Sequence, residues 1–452
     1  TLNNKSWLTY DREKDRYHIH EMLRQFGADR LSVDPDRDAV LRARHSAFFW
    51  RYLQEREKDW YGARQREAAQ NVAAELANIQ AAWRWAVTQS NYKPLASGFD
   101  SLGRFYLWEG LKSEGRNVCQ KTVEGLSKMI ARQIPGEGWY LAFCSRVLTW
   151  ESDFAVGVDK KETVLSQSQQ LLDQASQMGH DIKAEQASLY LMQANSLVNK
   201  DYEKSIELGK RGSELYREMG DPWGESELLV VVGGRQTFLG AFNQAFDNLN
   251  RGLHIKKQLR DLAGSGQSML QLGLLAQHQG HYDEAEKLHR ESMLSYRQLG
   301  NRHFHSFSLT VLSFTQSWSG NFTAARQSAT QSLAYGKDLG DYPNLWSLGA
   351  LIAALIHLGD YSETSIQAQT SINIALVRGH LGEKALALMN LGQVAYIEKE
   401  ITKANDCLTE SAAILSEIGY VYYPLPRALL SIVARVQGDY LQAVEYLKSA
   451  LE

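Results

Sequence analysis

The sequence predicts an all-α fold in which helical hairpins stack into a solenoid, and three observations support it. A block of Gly, polar residue, aromatic, two variable residues and small residue recurs along the chain. Its aromatic position returns at spacings of 40, 40, 40, 39, 40 and 39, with weaker copies at the first and sixth sites: Tyr202, Phe242, Tyr282, Phe322, Tyr361, Ile401 and Tyr440. The intervening segments have helical periodicity. A fixed period of this size indicates a solenoid.

A second turn signal lies half a period away from the first. It is a Gly followed in most copies by Asp or Asn, at Gly220, Gly300, Gly340 and Gly419. Gly ends one helix readily, and Asp or Asn caps the start of the next. Pro222 and Pro343 follow such caps, where a missing N–H costs least. Each period therefore contains two turns and two helices of about 18 residues.

These blocks resemble the tetratricopeptide repeat, whose second helix begins with Gly-x-aromatic-x-x-Ala. The first helix of that repeat carries a Leu-Gly pair twelve residues before the Ala. The pairs here are Leu272-Gly273 before Ala285, Leu391-Gly392 before Ala404, and Val232-Gly233 before Ala245. The resemblance implies a right-handed superhelix with the first helices on its concave side. The usual unit has 34 residues, so these helices are longer, as in the repeats that sense ligands in signalling ATPases.

The composition argues against several classes of function. The net charge of -3 lacks the basic excess of a nucleic-acid-binding surface. Cys119, Cys144 and Cys407 are widely separated, which disfavours a disulfide framework or a structural zinc site. No run of 18 apolar residues and no secretory leader occur, so we expect a cytoplasmic protein with neither membrane nor direct nucleic-acid partners. The polar opening without an initiating Met reads as a fragment of a longer protein.

Residues 17–31, 75–86 and 108–116 carry three further patterns, and these resemble STAND-type ATPases (signal transduction ATPases with numerous domains). In that family His20 would lie where the end of a winged-helix module abuts the nucleotide-binding domain; alternatively, His20 only caps or packs a surface helix. The stretches are residues 17–31, the helix of residues 75–86 with its Glu-x-x-Asn-x-x-x-Ala pattern, and residues 108–116 with Glu114-Gly115-Arg116. The resemblance implies an ATPase domain upstream in cis.

The patterns divide the chain into four regions. We expect residues 1–35 to end a winged-helix module, 36–91 to form a helical linker, 92–180 to form irregular hairpins and 181–452 to form the regular array. In the irregular region Phe154 is expected to fill the aromatic position of a hairpin over residues 138–180. Its spacing of 48 residues to Tyr202 exceeds the period.

Motifs for catalysis are absent from the sequence. There is no Gly-x-x-x-x-Gly-Lys-Ser/Thr phosphate loop, no His-Glu-x-x-His and no Gly-x-Ser-x-Gly. Two close histidine pairs, His278 with His281 and His303 with His305, lack a convincing third metal ligand. We therefore expect no catalytic residues, metal or cofactor in this chain, and no enzyme activity of its own.

The tetratricopeptide resemblance also implies which residues line the concave groove. Among them Gly349 leaves space beside aromatic walls, and amide and imidazole groups surround it. A pocket of that composition suits a ligand; alternatively, the superhelix closes here and the small residue admits neighbouring backbone. The candidate ligand-binding residues are Gln267, Gln277, His278, Phe307, Phe314, Trp318, Trp346, Gly349, His357 and Gln393.

Two functions fit these patterns. The first is the sensing and interaction region of a STAND-type signalling ATPase, similar to regulators in which an inducer releases oligomerisation. The inducer could be a small molecule, a peptide or a protein, and the activated protein could be a homo-oligomer. The alternative is a constitutive peptide- or protein-binding tetratricopeptide scaffold without a switch.

Overall fold

A computed structural model describes residues 8–11, 16–132, 136–155, 158–197, 201–338, 345–418 and 424–451. The chain divides into two compact units: Thr1–Glu57 with Asn71–Leu102, and Lys58–Gln70 with Gly103–Glu452. Some predicted features lie outside the described residues, namely the polar opening and the turns at Gly340 and Gly419 with Asp341, Pro343 and Tyr420.

The first unit begins with an antiparallel pair of strands, β1 (Leu8–Asp11) and β2 (Arg16–Ile19), in which Leu8 faces Ile19. The helix α1 (Glu21–Ser32) follows β2 directly. The unit also contains α2 (Pro35–Glu55), most of α3 (Gln65–Thr88) and the start of α4 (Tyr92–Trp108).

Close helix packing forms the core of this first unit. Trp50 and Leu53 on α2 are buried against Gly98 on α4, where an added Cβ would lie 2.7 Å from Leu53 Cβ. The Ser46 hydroxyl donates to the carbonyl of Ala82, and the Ser101 hydroxyl donates to that of Leu53. The small side chains at these crossings let the backbones approach closely.

The second unit is a succession of helical hairpins. A short 3-10 helix, Glu57–Tyr61, leads into it from α2. The helices that follow α4 are α5 (Lys112–Ile130), α6 (Glu137–Phe154), α7 (Val158–Gln177), α8 (Lys183–Ser196), α9 (Tyr202–Met219), α10 (Pro222–Phe238), α11 (Phe242–Gln258), α12 (Leu262–His278), α13 (Tyr282–Leu299), α14 (Arg302–Trp318), α15 (Phe322–Asp338), α16 (Leu345–Leu358), α17 (Tyr361–Arg378), α18 (Leu381–Ile397), α19 (Ile401–Glu417), α20 (Pro424–Gln437) and α21 (Tyr440–Leu451).

The predicted solenoid is confirmed by where its second helices begin. Each aromatic or aliphatic residue used to define the period is the first residue of a second helix, from Tyr202 of α9 to Tyr440 of α21. The small residue three positions later is buried in every copy: Ser205, Ala245, Ala285, Ala325, Thr364, Ala404 and Ala443. The fold is therefore an all-α, right-handed superhelical solenoid of tetratricopeptide-like hairpins.

The Leu-Gly pairs explain how the two helices of a hairpin come together. At Gly233 an added Cβ would lie 2.7 Å from Leu249 Cγ and 3.1 Å from the carbonyl oxygen of Ala245. Gly392 has the equivalent relation to Leu408, at 2.8 Å. Neither position has room for a larger residue, so Gly sets the distance between the paired helices.

The turns between helices follow the predicted capping chemistry. Gly220 and Gly300 lie in the left-handed region, with φ of 67° and 69°, and end α9 and α13. The side chains of Asp221, Asp261 and Asn301 then each accept a hydrogen bond from the backbone N–H of the third residue of the next helix. Each cap satisfies a backbone donor that a helix start leaves unpaired.

Phe154 is an exception to the predicted register. It is the last residue of α6, and the following helix begins only at Val158. The Phe154 ring is buried against Gly115, where an added Cβ would lie 2.7 Å from its Cζ. The ring therefore fills the crossing of α5 and α6 and does not open a second helix.

Over the described residues, no helix combines the length and the apolar character that crossing a membrane requires.

One turn uses a residue that is poorly suited to its conformation. Lys399 has a φ of 66°, and the N–H of Glu400 bonds the Ala395 carbonyl across it at 2.8 Å. Gly359 occupies the same turn one hairpin earlier, with a φ of 75° and no heavy atom within 4 Å of an added Cβ. Side chains other than Gly strain this backbone region.

We predict that Lys399→Gly stabilises the protein by about 1 kcal/mol, because it relieves this strain. The reverse change one hairpin earlier, Gly359→Lys, should destabilise it by a similar amount, since only the backbone is affected there. Urea unfolding followed by circular dichroism measures both. Equal stability of the two variants would contradict the proposed turn geometry.

Candidate functional site on the first helices

The first helices lie on the inner side of the array. At several hairpins the first helix packs directly on that of the next, as α10 does on α12 and α14 on α16, whereas α12 reaches α14 through the hydrogen bond between Gln277 and Thr315. Within the described ranges, consecutive second helices such as α13 and α15 make no comparable contact. The hairpins are therefore closer together on the side of the first helices, and the array curves toward that side.

Most of the predicted groove residues are at least partly exposed on this inner side. They occupy repeat positions 18, 15, 11 and 7 residues before the buried small residue of their hairpin. We call the following nine the inner lane: Gln267 and His278 on α12; Phe307, Phe314 and Trp318 on α14; Trp346, Gly349 and His357 on α16; and Gln393 on α18.

The inner lane is rich in aromatic surface and carries no formally charged residue. Trp318 is 51% exposed and Trp346 is 47% exposed, values that are high for side chains of this size. The Phe307 and Trp346 rings lie 6.4 Å apart, centre to centre. His357 stacks on Phe322, with ring centres 4.5 Å apart and an angle of 12° between the planes. These rings offer flat apolar surface and imidazole hydrogen-bonding groups.

Gly349 lies open within the lane. An added Cβ at this position would have no heavy atom within 4 Å, unlike those at Gly233 or Gly392. The Gly349 position is therefore not used for close helix packing. A larger side chain here would project into the space in front of α16.

His278 joins a row of rings at the ends of successive first helices. Its ring centre lies 5.1 Å from that of Phe238 and 6.4 Å from that of Trp318. Its Nδ1 lies 2.9 Å from the carbonyl oxygen of Leu274 and so carries the proton that this oxygen accepts. The second nitrogen, Nε2, points away from that bond.

Gln277 does not line the lane. It is only 4% exposed, and its Oε1 lies 2.8 Å from the Thr315 hydroxyl on α14. The repeat position eight residues before the small residue faces the neighbouring first helix. Gln277 therefore links α12 to α14, and its predicted role as a direct ligand contact has no geometric support.

Sequence reasoning missed a buried histidine behind the lane. His289 on α13 occupies the core position that Leu249 and Leu408 fill in other hairpins, and it is completely buried. Its Nδ1 lies 2.9 Å from the Thr315 hydroxyl, and its Nε2 lies 3.3 Å from the carbonyl oxygen of Leu270. Gly273 makes room for the ring, because an added Cβ there would overlap Nε2.

Burial sets the protonation of this histidine. Desolvation lowers the pKa of His289 to about 4, and the hydrogen bond to Leu270 offsets only part of that effect. The imidazole is therefore neutral at pH 7. Its position four residues after Ala285 on the core face was the available sequence signal.

His20 lies at the start of α1 in the first unit. Its Nδ1 accepts a hydrogen bond of 3.3 Å from the N–H of Met22, so the side chain caps the helix. The ring is exposed. The predicted contact of His20 with a nucleotide-binding domain stays a prediction.

No group of three or more metal-ligating side chains occurs within the described ranges. His281 is exposed at the start of α13, whereas His305 is buried and its Nδ1 lies 3.1 Å from the Met293 carbonyl oxygen. The two predicted histidine pairs therefore have ordinary structural surroundings.

Comparison with known proteins supports the repeat fold. The sequence profile of the tetratricopeptide repeat family matches residues 266–303, which cover α12 and α13. No curated protein sequence matches the chain.

Solved structures of helical-repeat proteins resemble this chain. The apo quorum sensor NprR from B. thuringiensis is 13% identical, with a TM-score of 0.53, over 76% of this chain and 97% of that one. A Rap protein complexed with competence and sporulation factor is 11% identical, with a TM-score of 0.52, over 79% and 99%. These likenesses show a shared tetratricopeptide-like helical repeat fold.

A STAND protein with a tetratricopeptide repeat sensor from Pyrococcus horikoshii is also similar, at 16% identity and a TM-score of 0.46. The alignment covers 75% of this chain and 52% of that protein. The chain thus spans about half the length of that protein.

We predict that the protein loses stability as the pH falls from about 6.5 toward 4, because the unfolded chain binds a proton that folded His289 does not. The loss attributable to His289 should be on the order of 3 kcal/mol. His289→Leu should flatten this part of the curve, since Leu fits the same crossing at Leu249 and Leu408.

Urea unfolding at a series of pH values measures the effect, with the exposed His281→Gln as the control. An unchanged slope between pH 6.5 and 4 in His289→Leu would rule out this assignment.

Proposed function

We propose that this chain is the ligand-sensing and interaction region of a STAND-type signalling ATPase, and that an inducer binds along the inner lane. The observation that carries the proposal is the combination of exposed Trp318 and Trp346 with open space at Gly349. Aromatic side chains of this kind gain about 1.5–3 kcal/mol when a ligand covers them. They are also the residue type that most often dominates binding energy.

A peptide is the inducer class that the lane favours. The flat aromatic faces of the lane suit apolar side chains of a peptide. The amides of Gln267 and Gln393 suit its backbone polar groups. It lacks carboxylates and cationic groups, so it favours a ligand without strong charge. Two proteins of the same fold, NprR with its cognate peptide NprX and a Rap protein with competence and sporulation factor, are known as complexes.

A switch requires the ligand to distinguish two states. Binding shifts an equilibrium only by the difference in affinity between its states. In the proposed protein the ATPase domain lies upstream in cis, and inducer binding to the array controls its nucleotide-dependent oligomerisation. The resemblance of residues 17–31, 75–86 and 108–116 to STAND proteins supports this arrangement.

The binding step can be tested with a phage-displayed library of random linear peptides, selected on the protein. We predict that Gly349→Leu weakens the selected peptide by at least about tenfold, because the added side chain fills the open space. Trp346→Ala should weaken it similarly. Isothermal titration calorimetry measures the affinities.

Gly27→Leu is the matched control, since it makes the same change in α1, where an added Cβ also meets nothing within 4 Å. Selected peptides that bind both lane variants as tightly as the unmodified protein would place the site elsewhere.

The switch can be tested separately in the longer protein. Peptide binding that changes ATP hydrolysis and assembly supports the sensor. Binding that leaves both unchanged supports the alternative, a constitutive scaffold.

A further inference from the structure

A short segment of the second unit lies along a different edge of the repeat array. It comprises residues 58–66, from the 3-10 helix to the first turn of α3, and we call it the strap. It rests at the turns that precede α10 and α12, on Trp223, Asp261 and Ala263. We call these three residues, with Lys256 that pairs with Asp261, the seat. The inner lane residues do not take part in this contact.

Gln65 makes the specific polar contact between strap and seat. Its Nε2 donates to Asp261 Oδ1 at 2.7 Å, and its Oε1 accepts from the N–H of Ala263 at 3.1 Å. Both ends of the carboxamide are used, and the side chain is only 3% exposed. A carboxylate in its place would face Asp261 and lose the donor. The seat therefore selects an amide.

Tyr61 makes the apolar contact. Its ring centre lies 4.5 Å from that of Trp223. The Arg104 guanidinium carbon lies 4.5 Å from the Tyr61 ring centre and 4.2 Å from that of Trp223, and the Arg104 Nε donates to the Tyr61 hydroxyl at 3.2 Å. Cations near aromatic faces are attracted to them. The seat thus selects an aromatic ring four positions before the amide.

The charged groups of the seat have partners other than the strap. Asp261 also accepts hydrogen bonds from the Gly264 N–H at 2.7 Å and the Trp223 Nε1 at 3.0 Å, and it pairs with Lys256 at 3.2 Å. Lys256 is buried and also pairs with Glu227. Loss of Gln65 would leave both buried charges paired, so the seat can persist when empty.

One buried polar atom of the strap lacks a hydrogen-bond partner among the described residues. The buried Nε1 of Trp60 finds no hydrogen-bond acceptor among the described residues. A buried donor without a partner disfavours the docked state relative to one in which water reaches it. Release of the strap would give this donor access to water, while it would also expose the Trp60 ring that packs on Trp108.

We propose that the seat is a peptide-recognition site for an aromatic residue followed four positions later by glutamine, and that the strap is its built-in, displaceable occupant. The present occupant supplies the chemistry, because it is itself a peptide held by one ring and one carboxamide. A partner peptide with the same pair of residues would compete with the strap. This inference is independent of the ligand proposed for the inner lane.

The strap competes with a free peptide for the seat, and this competition lowers the apparent affinity that a binding assay measures. A tethered occupant acts at an effective concentration in the millimolar range, so it masks the site from a free peptide. Weakening the strap should therefore raise the apparent affinity for a free copy of the same sequence. We expect an increase of about 10- to 100-fold.

The probe is a fluorescein-labelled synthetic peptide of residues 57–68, and its binding to the full chain is followed by fluorescence anisotropy. Gln65→Glu should bind this probe about 10- to 100-fold more tightly than the unmodified protein. Trypsin should also cleave Tyr61→Ala faster after Arg64, since this variant loosens the strap and leaves the Arg64–Gln65 bond unchanged. Gln70→Glu, the same change at an exposed position of α3, should match the unmodified protein in both assays.

Tyr61→Ala provides a second variant if Gln65→Glu does not fold, with the same expected results. Equal probe affinity in all variants, or an Arg64 bond equally protected in all of them, would overturn the proposal. Gly349→Leu should leave probe binding unchanged. The result for the seat can therefore be told apart from the result for the ligand site proposed on the inner lane.

Discussion

The structure depends on the close approach of the two helices within each hairpin. Gly233 and Gly392 leave no space for a side chain against Leu249 and Leu408, while the small residue three positions after the start of each second helix is buried. The buried small residue recurs about every 40 residues and fixes the rotation of each first helix about its axis, including where the facing residue is Ser313 or Ile352 and not Gly. That rotation turns Trp318 and Trp346 toward the inner side. The exposed aromatic surface of the inner lane therefore results from the way in which the two helices of each hairpin pack.

Polar contacts replace apolar packing at several crossings beneath the lane. The hydroxyls of Ser306 and Ser332 lie 2.9 Å apart, and Ser347 lies 2.9 Å from Ser332 and 2.8 Å from Thr310. This buried cluster joins α14, α15 and α16. Buried polar networks that are satisfied specify one arrangement of the helices around them. The cluster thus holds in register the helices that carry the aromatic lane residues.

Local chemistry explains why much of this fold was predictable. Glycine turns and Asp or Asn caps act within a few residues, so the helix starts at Asp221 and Asn301 follow from the sequence. The inner position of Trp318 and Gly349 follows from the tetratricopeptide resemblance, applied in the same register. Phe154 departs from it because its ring fills a crossing earlier in the chain, outside the regular period.

Contacts between distant parts of the chain were not predictable in this way. Gln277 shares its helix with lane residues, but the neighbouring helix covers it, and spacing along one helix cannot reveal that. His289 replaces a core Leu only because Gly273 and Thr315 accommodate its ring. Gln65 and Asp261 are 196 positions apart, and no local pattern joins them.

The crossing of α12 and α13 offers the most direct measurement of the central claim, through a double-mutant cycle of Gly273→Ala and His289→Ala. Alone, Gly273→Ala should be strongly destabilising, since its Cβ would overlap the His289 ring. In the His289→Ala background the same change should be nearly neutral or stabilising by up to about 1 kcal/mol, because Ala is the better helix former. Urea unfolding of the four proteins gives the coupling free energy. Additive effects of the two substitutions would contradict the account.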